Sequence, residues 1–221
     1  MKYYSQAKQD EWVCTILGMK QGGYFVDLGA YDGIGVSNTF ALETELGWSG
    51  VCVEANESFY RSLVNNRKCP CIHAAVSNRN GVCKFGYDKI DAVGGTSVPC
   101  FTLNTILEQV SAPKEIDYLS IDIEGHEVEV LQAFDFTRWN IKLITAEHNL
   151  YLGNQKMKAD LYTILTSNGY VRVVEDAVCL EKHPSVYGKP FEDWYISSEY
   201  LGAYKSAINE WNVNNGKESI Q

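Results

Sequence analysis

The chain has 221 residues, of which 45% are hydrophobic and only five are proline. This length and composition provide enough apolar material for one folded domain and exclude a disordered chain. Lys and Arg number 19 against 28 Asp and Glu, which gives a formal net charge of −9. Because phosphate-backbone affinity comes from clustered Lys and Arg, we expect neither nucleic acid nor an anionic membrane as a partner.

Two further classes of protein are disfavoured by the sequence. No apolar run reaches the ~18–20 residues that a membrane helix needs, and the N-terminus has no apolar signal-peptide core. We therefore expect a cytoplasmic protein. The seven cysteines contain no C-x-x-C motif, and Cys69-Pro-Cys71 is the only close pair. Buried, reduced thiols are favoured over a zinc or redox site.

Helices and strands alternate along most of the chain. In chain order we predict helix 5–19, strand 24–28, helix 37–47, strand 50–54, helix 56–66, strand 71–76, helix 102–110, strand 116–122, helix 126–134, strand 141–147, helix 155–168, strands 170–174, 178–180 and 194–197, and a tail helix 200–211. Between 71–76 and 82–85, Asn80-Gly81 is typical of a hairpin turn. The last strands are expected to be partly antiparallel.

The predicted strands are apolar runs bounded by helices, which is typical of a mostly parallel sheet covered on both faces. We therefore predict a doubly wound α/β fold in a single domain over 1–221. It comprises an N-terminal helix (1–20), a Rossmann-like core (21–197) and a helical tail (198–221) that could dock on the core or on the second subunit of a homodimer. Ligands of such folds bind beyond the carboxyl ends of the strands.

The first candidate binding motif is the glycine-bearing loop that follows the first predicted strand. It is not a dinucleotide fingerprint, because Tyr31 stands where G-x-G-x-x-G requires glycine. The carboxylate of Asp27 would repel a pyrophosphate, whereas it suits an amino or sulfonium group. S-adenosylmethionine carries both groups, so the loop favours this methyl donor.

The second motif is Glu54, which ends the second predicted strand. A carboxylate there can accept hydrogen bonds from both ribose hydroxyls, in NAD and S-adenosylmethionine sites alike. Together with Asp27 it favours S-adenosylmethionine, with the adenine placed at the end of the third strand. The candidate cofactor-binding residues are Asp27, Gly29, Ala30, Tyr31, Asp32, Ser37, Glu54, Ala55, Ala75, Val76 and Asp122.

These segments resemble the FkbM-type methyltransferases. The resemblance rests on Ser5-Gln6, Gln9-Asp10, GYFVDLGAYDG, Ser37-Asn38-Thr39, Glu43, GWSGVCVEAN and DYLSIDIEGHE, and runs from about residue 3 to 175. It implies a class I, S-adenosylmethionine-dependent fold with a seven-stranded sheet. It also implies O-methylation of a sugar or natural-product hydroxyl, so we expect a small-molecule acceptor.

A third group of polar residues follows two later strands. Asp122, Glu124 and His126 lie after one strand, and Glu147, His148 and Asn149 after the next. Oxygen ligands of this kind can hold Mg²⁺ or Mn²⁺, and Asp122, Glu147 and Asn149 resemble the ligands of metal-dependent catechol and sugar O-methyltransferases. The alternative is an acceptor-binding rim without a metal.

An alcohol is a poor nucleophile until a base removes its proton. An imidazole suits neutral pH, so His126 and His148 are the candidate bases, with Glu124 orienting the ring or the acceptor. We predict an S-adenosylmethionine-dependent methyltransferase that modifies a hydroxyl of a sugar or small polar metabolite. Tyr31 and Asp27 disfavour the alternative of a nicotinamide-dependent oxidoreductase. A non-catalytic nucleotide-binding module on the same fold is the third reading.

Overall fold

A computed structural model describes residues 1–86, 89–90, 93–182 and 184–220. The strands are β1 (Tyr24–Leu28), β2 (Ser49–Glu54), β3 (Cys71–His73), β4 (Ala75–Val76), β5 (Gly81–Gly86), β6 (Lys89–Ile90), β7 (Thr96–Phe101), β8 (Glu115–Ile121), β9 (Asn140–Glu147), β10 (Tyr170–Val178) and β11 (Pro190–Ser197). The helices are α1 (Gln9–Ile16), α2 (Phe40–Leu46), α3 (Glu57–Asn66), α4 (Leu103–Gln109), α5 (Glu127–Gln132), α6 (Gln155–Ser167) and α7 (Ser198–Asn214).

Seven strands form the main sheet, in the order β10-β11-β9-β8-β1-β2-β3. The pairs from β9 to β3 are parallel, whereas β11 runs antiparallel to both of its neighbours, β9 and β10. The predicted class, a mostly parallel seven-stranded sheet with antiparallel strands near the C-terminus, is confirmed.

Apolar side chains alternate between two cores, one on each face of this sheet. On β1, Phe25 belongs to the core that includes residues of α1, α2, α3 and α7. Val26 belongs to the opposite core, with residues of α4, α5 and α6. Both faces are therefore covered by helices, as the continuous apolar runs predict.

Local capping explains several helix boundaries. The Ser37 hydroxyl accepts hydrogen bonds from the N–H groups of Thr39 and Phe40 at the start of α2. The side chain of Asn56 accepts from two N–H groups at the start of α3. Asn56 acts as the predicted cap of α3. α2 is shorter than the predicted helix 37–47, because Thr39 is its N-cap and Ser37 supports the turn before it.

The N-terminal helix is shorter than predicted, because it begins at Gln9 rather than Ser5. Lys8 has a φ of 71°, which a continuous right-handed helix does not allow. The preceding residues instead fold onto Asp10, which accepts hydrogen bonds from Ser5 Oγ at 2.5 Å and from the Tyr4 N–H at 2.7 Å.

The predicted strand 71–76 is divided between two sheets. β3 pairs with β2 in the main sheet, but Ala75 and Val76 pair with Cys100 and Phe101 of β7. A second sheet results, with the order β4-β7-β5-β6.

The predicted hairpin at Asn80-Gly81 is wrong, because β7 lies between β4 and β5. Asn80 does not form a two-residue turn. Its side chain accepts from the Thr102 N–H at 2.9 Å and donates to the Thr105 hydroxyl, also at 2.9 Å, at the start of α4.

The C-terminal part also differs in detail. Segments 170–174 and 178–180 were expected as two strands, but β10 is one strand with register shifts along it. Across the described part of the chain, no helix combines the length and apolarity needed to cross a membrane.

Candidate functional site

A cavity of about 730 Å³ opens at the carboxyl ends of β1, β2, β8 and β9, with the second sheet forming part of its wall. This is the position expected for a ligand of a doubly wound sheet. Among the predicted site residues, those that line it are Asp27, Gly29, Ala30, Tyr31, Ser37, Glu54, Ala55, Ala75, Val76, Asp122, Glu124, Glu147 and Asn149. Asp32, His126 and His148 are not in this lining.

Glu54 is held in place by the two loops on either side of it. Its Oε2 accepts a hydrogen bond from the Tyr31 N–H at 2.9 Å, and its Oε1 accepts one from the Asn56 N–H at 2.6 Å. The side chain is buried yet contributes to the cavity wall. Its carboxylate is therefore held at the cavity wall by backbone donors.

Asp27 belongs to a buried polar network. Its Oδ2 accepts from the Thr39 hydroxyl at 2.5 Å and lies 3.9 Å from Nη1 of Arg67. Burial raises the pKa of Asp27, whereas the Arg67 charge and the Thr39 hydrogen bond oppose the rise. Arg67 also donates to Glu43 at 2.5 Å, so a single guanidinium connects two carboxylates behind the glycine loop.

Sequence reasoning missed Arg67 as part of this site. The residue follows α3, and nothing in its local pattern indicates that its side chain reaches Asp27, 40 positions earlier. The Glu43 of the family motif offered a partial signal, because a buried acid requires a cationic or hydrogen-bonding partner.

Gly29 meets a strict steric requirement. Its φ is +84°, and an added Cβ would lie 1.7 Å from the carbonyl oxygen of Asp122. Only glycine permits this approach between the ends of β1 and β8. The group that requires glycine here is thus the end of the neighbouring strand.

Three carboxylates converge on the opposite side of the cavity. Asp122, Glu124 and Glu147 offer oxygens that all lie within 4.8 Å of one another. Oε2 of Glu147 is buried and has no hydrogen-bond partner. Burial raises the pKa of Asp122, and burial together with the charge of Asp122 raises that of Glu147. This pair therefore holds a proton at a pH where ordinary carboxyl groups are ionised.

Glu127, another residue that sequence reasoning missed, supports the loop before α5. Its carboxylate accepts from the N–H groups of Ile123 and Gly125, at 2.9 Å and 3.0 Å. Burial raises its pKa to about 7. An acid in the first helical turn after a glycine is the available sequence signal, since such residues often bond back to the preceding backbone.

His148 faces away from the cavity, which corrects its expected place at the rim. It is 1% exposed, and its Nε2 lies 3.3 Å from Oδ1 of Asp193 and 3.6 Å from Oδ1 of Asp176. Its Nδ1 accepts from the Leu150 N–H at 3.2 Å. Successive strand residues point to opposite faces, so His148 cannot share the orientation of Glu147.

The other two predicted residues outside the lining also have local roles. His126 is the residue before α5, at its N-terminal boundary. Asp32 accepts from the N–H groups of Ile34 and Gly35, at 2.9 Å and 2.7 Å, and so shapes the glycine loop from behind.

Backbone strain is concentrated at the cavity. Eight described non-glycine residues have a positive φ, and four of them line it: Tyr31, Val36, Glu124 and Asn149. Such conformations cost about 1–3 kcal/mol each and persist where surrounding structure enforces them, frequently at functional sites. Half of the described residues of this kind therefore lie at the cavity.

Comparisons with known proteins agree with this geometry. Residues 84–172 match the model of the methyltransferase FkbM domain, a segment that contains β8 and the loop after it. The resemblance to the FkbM-type methyltransferases is confirmed. The matched segment is narrower than the stretch over which the sequence motifs resemble the family. No curated protein matches this chain.

Solved structures share the fold at low sequence identity. A putative O-methyltransferase from Klebsiella pneumoniae has a TM-score of 0.56 and 10% identity, covering 89% of this chain and 83% of that one. The methyltransferase FkbM from Methylobacillus flagellatus has a TM-score of 0.50 and 13% identity, covering 79% of this chain and 43% of that one. The N-terminal domain of human METTL16 in complex with SAH has a TM-score of 0.50 and 12% identity, covering 85% of this chain and 68% of that one. The fold is that of the class I methyltransferases.

Proposed function

We propose that this methyltransferase binds S-adenosylmethionine in the cavity and transfers the methyl group to a hydroxyl of a small, polar acceptor. The observation that carries this proposal is the Glu54 carboxylate, which two backbone donors fix in the same cavity as the buried Asp27. Glu54 is placed to accept from the ribose hydroxyls. Asp27, Gly29 and Tyr31 border the space proposed for the methionine part, and Ala75 and Val76 that for the adenine.

The charge of the cavity supports a small acceptor without phosphate groups. Six carboxylate residues are among the described lining residues, which include no Lys, Arg or His: Asp27, Glu54, Asp122, Glu124, Glu147 and Glu181. Such a surface repels phosphate, because anion binding depends on cationic side chains or aligned N–H donors. A sugar or a similar polyol fits this electrostatic environment better than nucleic acid does.

The carboxylate group also fits a divalent cation. Asp122, Glu124 and Glu147 supply hard oxygen ligands, and the unpartnered Oε2 of Glu147 lacks a donor. We propose that these three residues hold Mg²⁺ or Mn²⁺, with Asn149 lining the same cavity. A bound cation would lower the pKa of a hydroxyl placed against it.

The proton acceptor is reassigned on geometric grounds. His148 is enclosed in an ion-pair network, and His126 is not among the residues that line the cavity. For the site without a cation, we propose that the Asp122–Glu147 pair in its ionised form accepts the proton of the acceptor hydroxyl. Burial raises the pKa of both groups, which makes their ionised forms stronger bases than ordinary carboxylates.

Isothermal titration calorimetry with S-adenosylmethionine, its demethylated product and NAD tests the cofactor assignment. We expect the first two to bind and NAD not to bind. Glu54→Ala should weaken S-adenosylmethionine binding roughly tenfold or more, because it removes charge-assisted hydrogen bonds worth about 1.5–3 kcal/mol each.

Glu181→Ala is the matched control, since Glu181 lines the cavity outside the proposed ribose position. It should bind the methyl donor like the unmodified protein. Tight NAD binding, or an unchanged affinity in folded Glu54→Ala, would refute the assignment.

A further inference from the structure

Three thiols lie together at the edge of the main sheet. Cys52 on β2 and Cys71 on β3 are register partners. Sγ of Cys52 lies 3.6 Å from Sγ of Cys69, and neither of these cysteines forms a disulfide. Cys52 is buried, whereas Cys69 and Cys71 are partly exposed. The closest pair therefore has one member that solvent can reach.

The cluster provides conditions for thiol chemistry. A disulfide has an S–S length of about 2.05 Å, so the Cys52 and Cys69 sulfurs need to approach by roughly 1.5 Å. Hydrogen bonds from the neighbouring thiols lower the pKa of Cys71. The pKa of Cys69 is raised, because its hydrogen bond to Cys52 lowers the value less than the hydrogen bond to Cys71 and burial raise it. Cys69 therefore reacts through its small ionised fraction, since the thiolate is the nucleophile.

A short chain of contacts connects Cys69 to the cofactor side of the cavity. The Cys69 N–H donates to Oε1 of Glu43 at 2.7 Å, and Oε2 of Glu43 accepts from Nε of Arg67 at 2.5 Å. The same guanidinium stands 3.9 Å from the carboxylate of Asp27. Movement of Cys69 therefore disturbs the carboxylate that positions the cationic partner of Asp27.

We propose that Cys52 and Cys69 form an oxidation site, and that their disulfide weakens the cofactor pocket. The oxidant class is a hydroperoxide. Sγ of Cys69 bonds to one peroxide oxygen as the O–O bond breaks, which gives a sulfenic acid and, with hydrogen peroxide, one water. Sγ of Cys52 then displaces the sulfenic oxygen, which leaves as a second water. The two thiols lose two electrons and two protons, and the peroxide is reduced.

The disulfide is tested by treating the folded protein with hydrogen peroxide and mapping tryptic peptides by mass spectrometry. Trypsin releases Cys52 in peptide 21–61, and both Cys69 and Cys71 in peptide 69–79. We expect these peptides to be linked, with the mass of two hydrogen atoms lost, and separated again by dithiothreitol. The link should form in Cys71→Ser and disappear in Cys69→Ser.

Cys14→Ser is the control, because Cys14 is a buried thiol that takes part in none of these contacts. It should behave like the unmodified protein. Absence of the link in unmodified protein, or its persistence in Cys69→Ser, would overturn the proposal.

The effect on the pocket rests on the proposed function and has its own readout. We expect S-adenosylmethionine to bind the oxidised protein roughly five- to tenfold more weakly than the reduced one, and dithiothreitol to restore the affinity. Equal affinities in the two states would overturn the coupling. If the reduced protein binds no S-adenosylmethionine, the proposed function fails, whereas peptide mapping still decides the oxidation site.

Discussion

β9 and β11 place acidic residues on both faces of the sheet. The acids on one face have cationic partners, and those on the other face, in the part of the chain that the structure describes, do not. On the cavity face, Glu147 and Glu192 are register partners, and no Lys or Arg pairs with Glu147 among the described residues. On the other face, Asp193 is surrounded by His148 and Arg172, and Lys158 pairs with Asp176 beside them.

The pKa values of Asp193 and Glu192 shift in opposite directions. Burial alone would raise the pKa of Asp193, but hydrogen bonds from His148, the Asp176 N–H and Arg172 lower it. Burial raises the pKa of Glu192 to about 8, although the Trp194 indole donates to it at 2.6 Å. Acids with cationic or N–H partners stabilise the fold in their ionised form. Buried acids without a cationic partner favour the protonated form or the binding of a cation.

The largest expected effect is on the compensated face. Asp193→Ala leaves the charge of Arg172 without its buried partner and removes the acceptor for His148. Breaking a buried ion pair in this way costs about 3–5 kcal/mol. We expect the free energy of unfolding, measured by urea denaturation at pH 7, to fall by that amount.

Asp160→Ala serves as the control, because its carboxylate pairs with Lys156 on the surface of α6. An exposed pair of this kind contributes about 0–1 kcal/mol. Similar losses in the two variants would contradict the distinction between the two kinds of ion pair.

The pH dependence of stability should differ in sign between the faces. Glu192 has a raised pKa in the folded protein, from 4.5 to about 8, so the native state holds its proton longer than the unfolded chain does. Its stabilising contribution is therefore complete below pH ~4.5 and is lost as the pH rises towards ~8. The slope reaches at most about 1.4 kcal/mol per pH unit.

Glu192→Gln removes this titration and keeps an acceptor for Trp194. Urea denaturation between pH 5 and 8 should show a flatter decline than in the unmodified protein. Glu210→Gln, on the exposed side of α7, should leave the decline unchanged. An equally steep decline in Glu192→Gln would mean that Glu192 does not hold the proton. For Asp193, with a lowered pKa, stability is instead lost as the pH falls through the folded-state value.

The features predicted from sequence are those set by neighbours in the chain. β1 is an apolar run that ends at the glycine-bearing loop, β2 is an apolar run that begins after Gly47, and α3 follows from the cap Asn56. The cavity position and the roles proposed for Asp27 and Glu54 follow from the rule that ligands bind at strand ends.

The features that were missed depend on contacts between distant residues. The pairing of Ala75 with Cys100 and the reach of Arg67 to Asp27 leave no local pattern. The sequence does contain a signal for the orientation of the His148 side chain. Strand alternation separates it from Glu147, but the prediction requires knowing that the extended backbone continues past Glu147.

The smallest effect on stability is expected for Glu147→Gln. Burial and the Asp122 charge raise the pKa of Glu147 and so favour its protonated form, which glutamine resembles. Without added cations, the free energy of unfolding should change by less than about 1 kcal/mol, because no buried charge is left unpaired.

Adding Mg²⁺ or Mn²⁺ should make the stabilities of the unmodified protein and Glu147→Gln differ. A cation at a hundredfold its dissociation constant stabilises a native site by about 2.7 kcal/mol, and thermal denaturation should show this gain in the unmodified protein and in Glu181→Gln, but not in Glu147→Gln. The gain should increase with pH, because the cation competes with the proton held by Asp122 and Glu147. An equal gain in Glu147→Gln would place the cation elsewhere, and a loss of several kcal/mol without cations would show that Glu147 is ionised and paired after all.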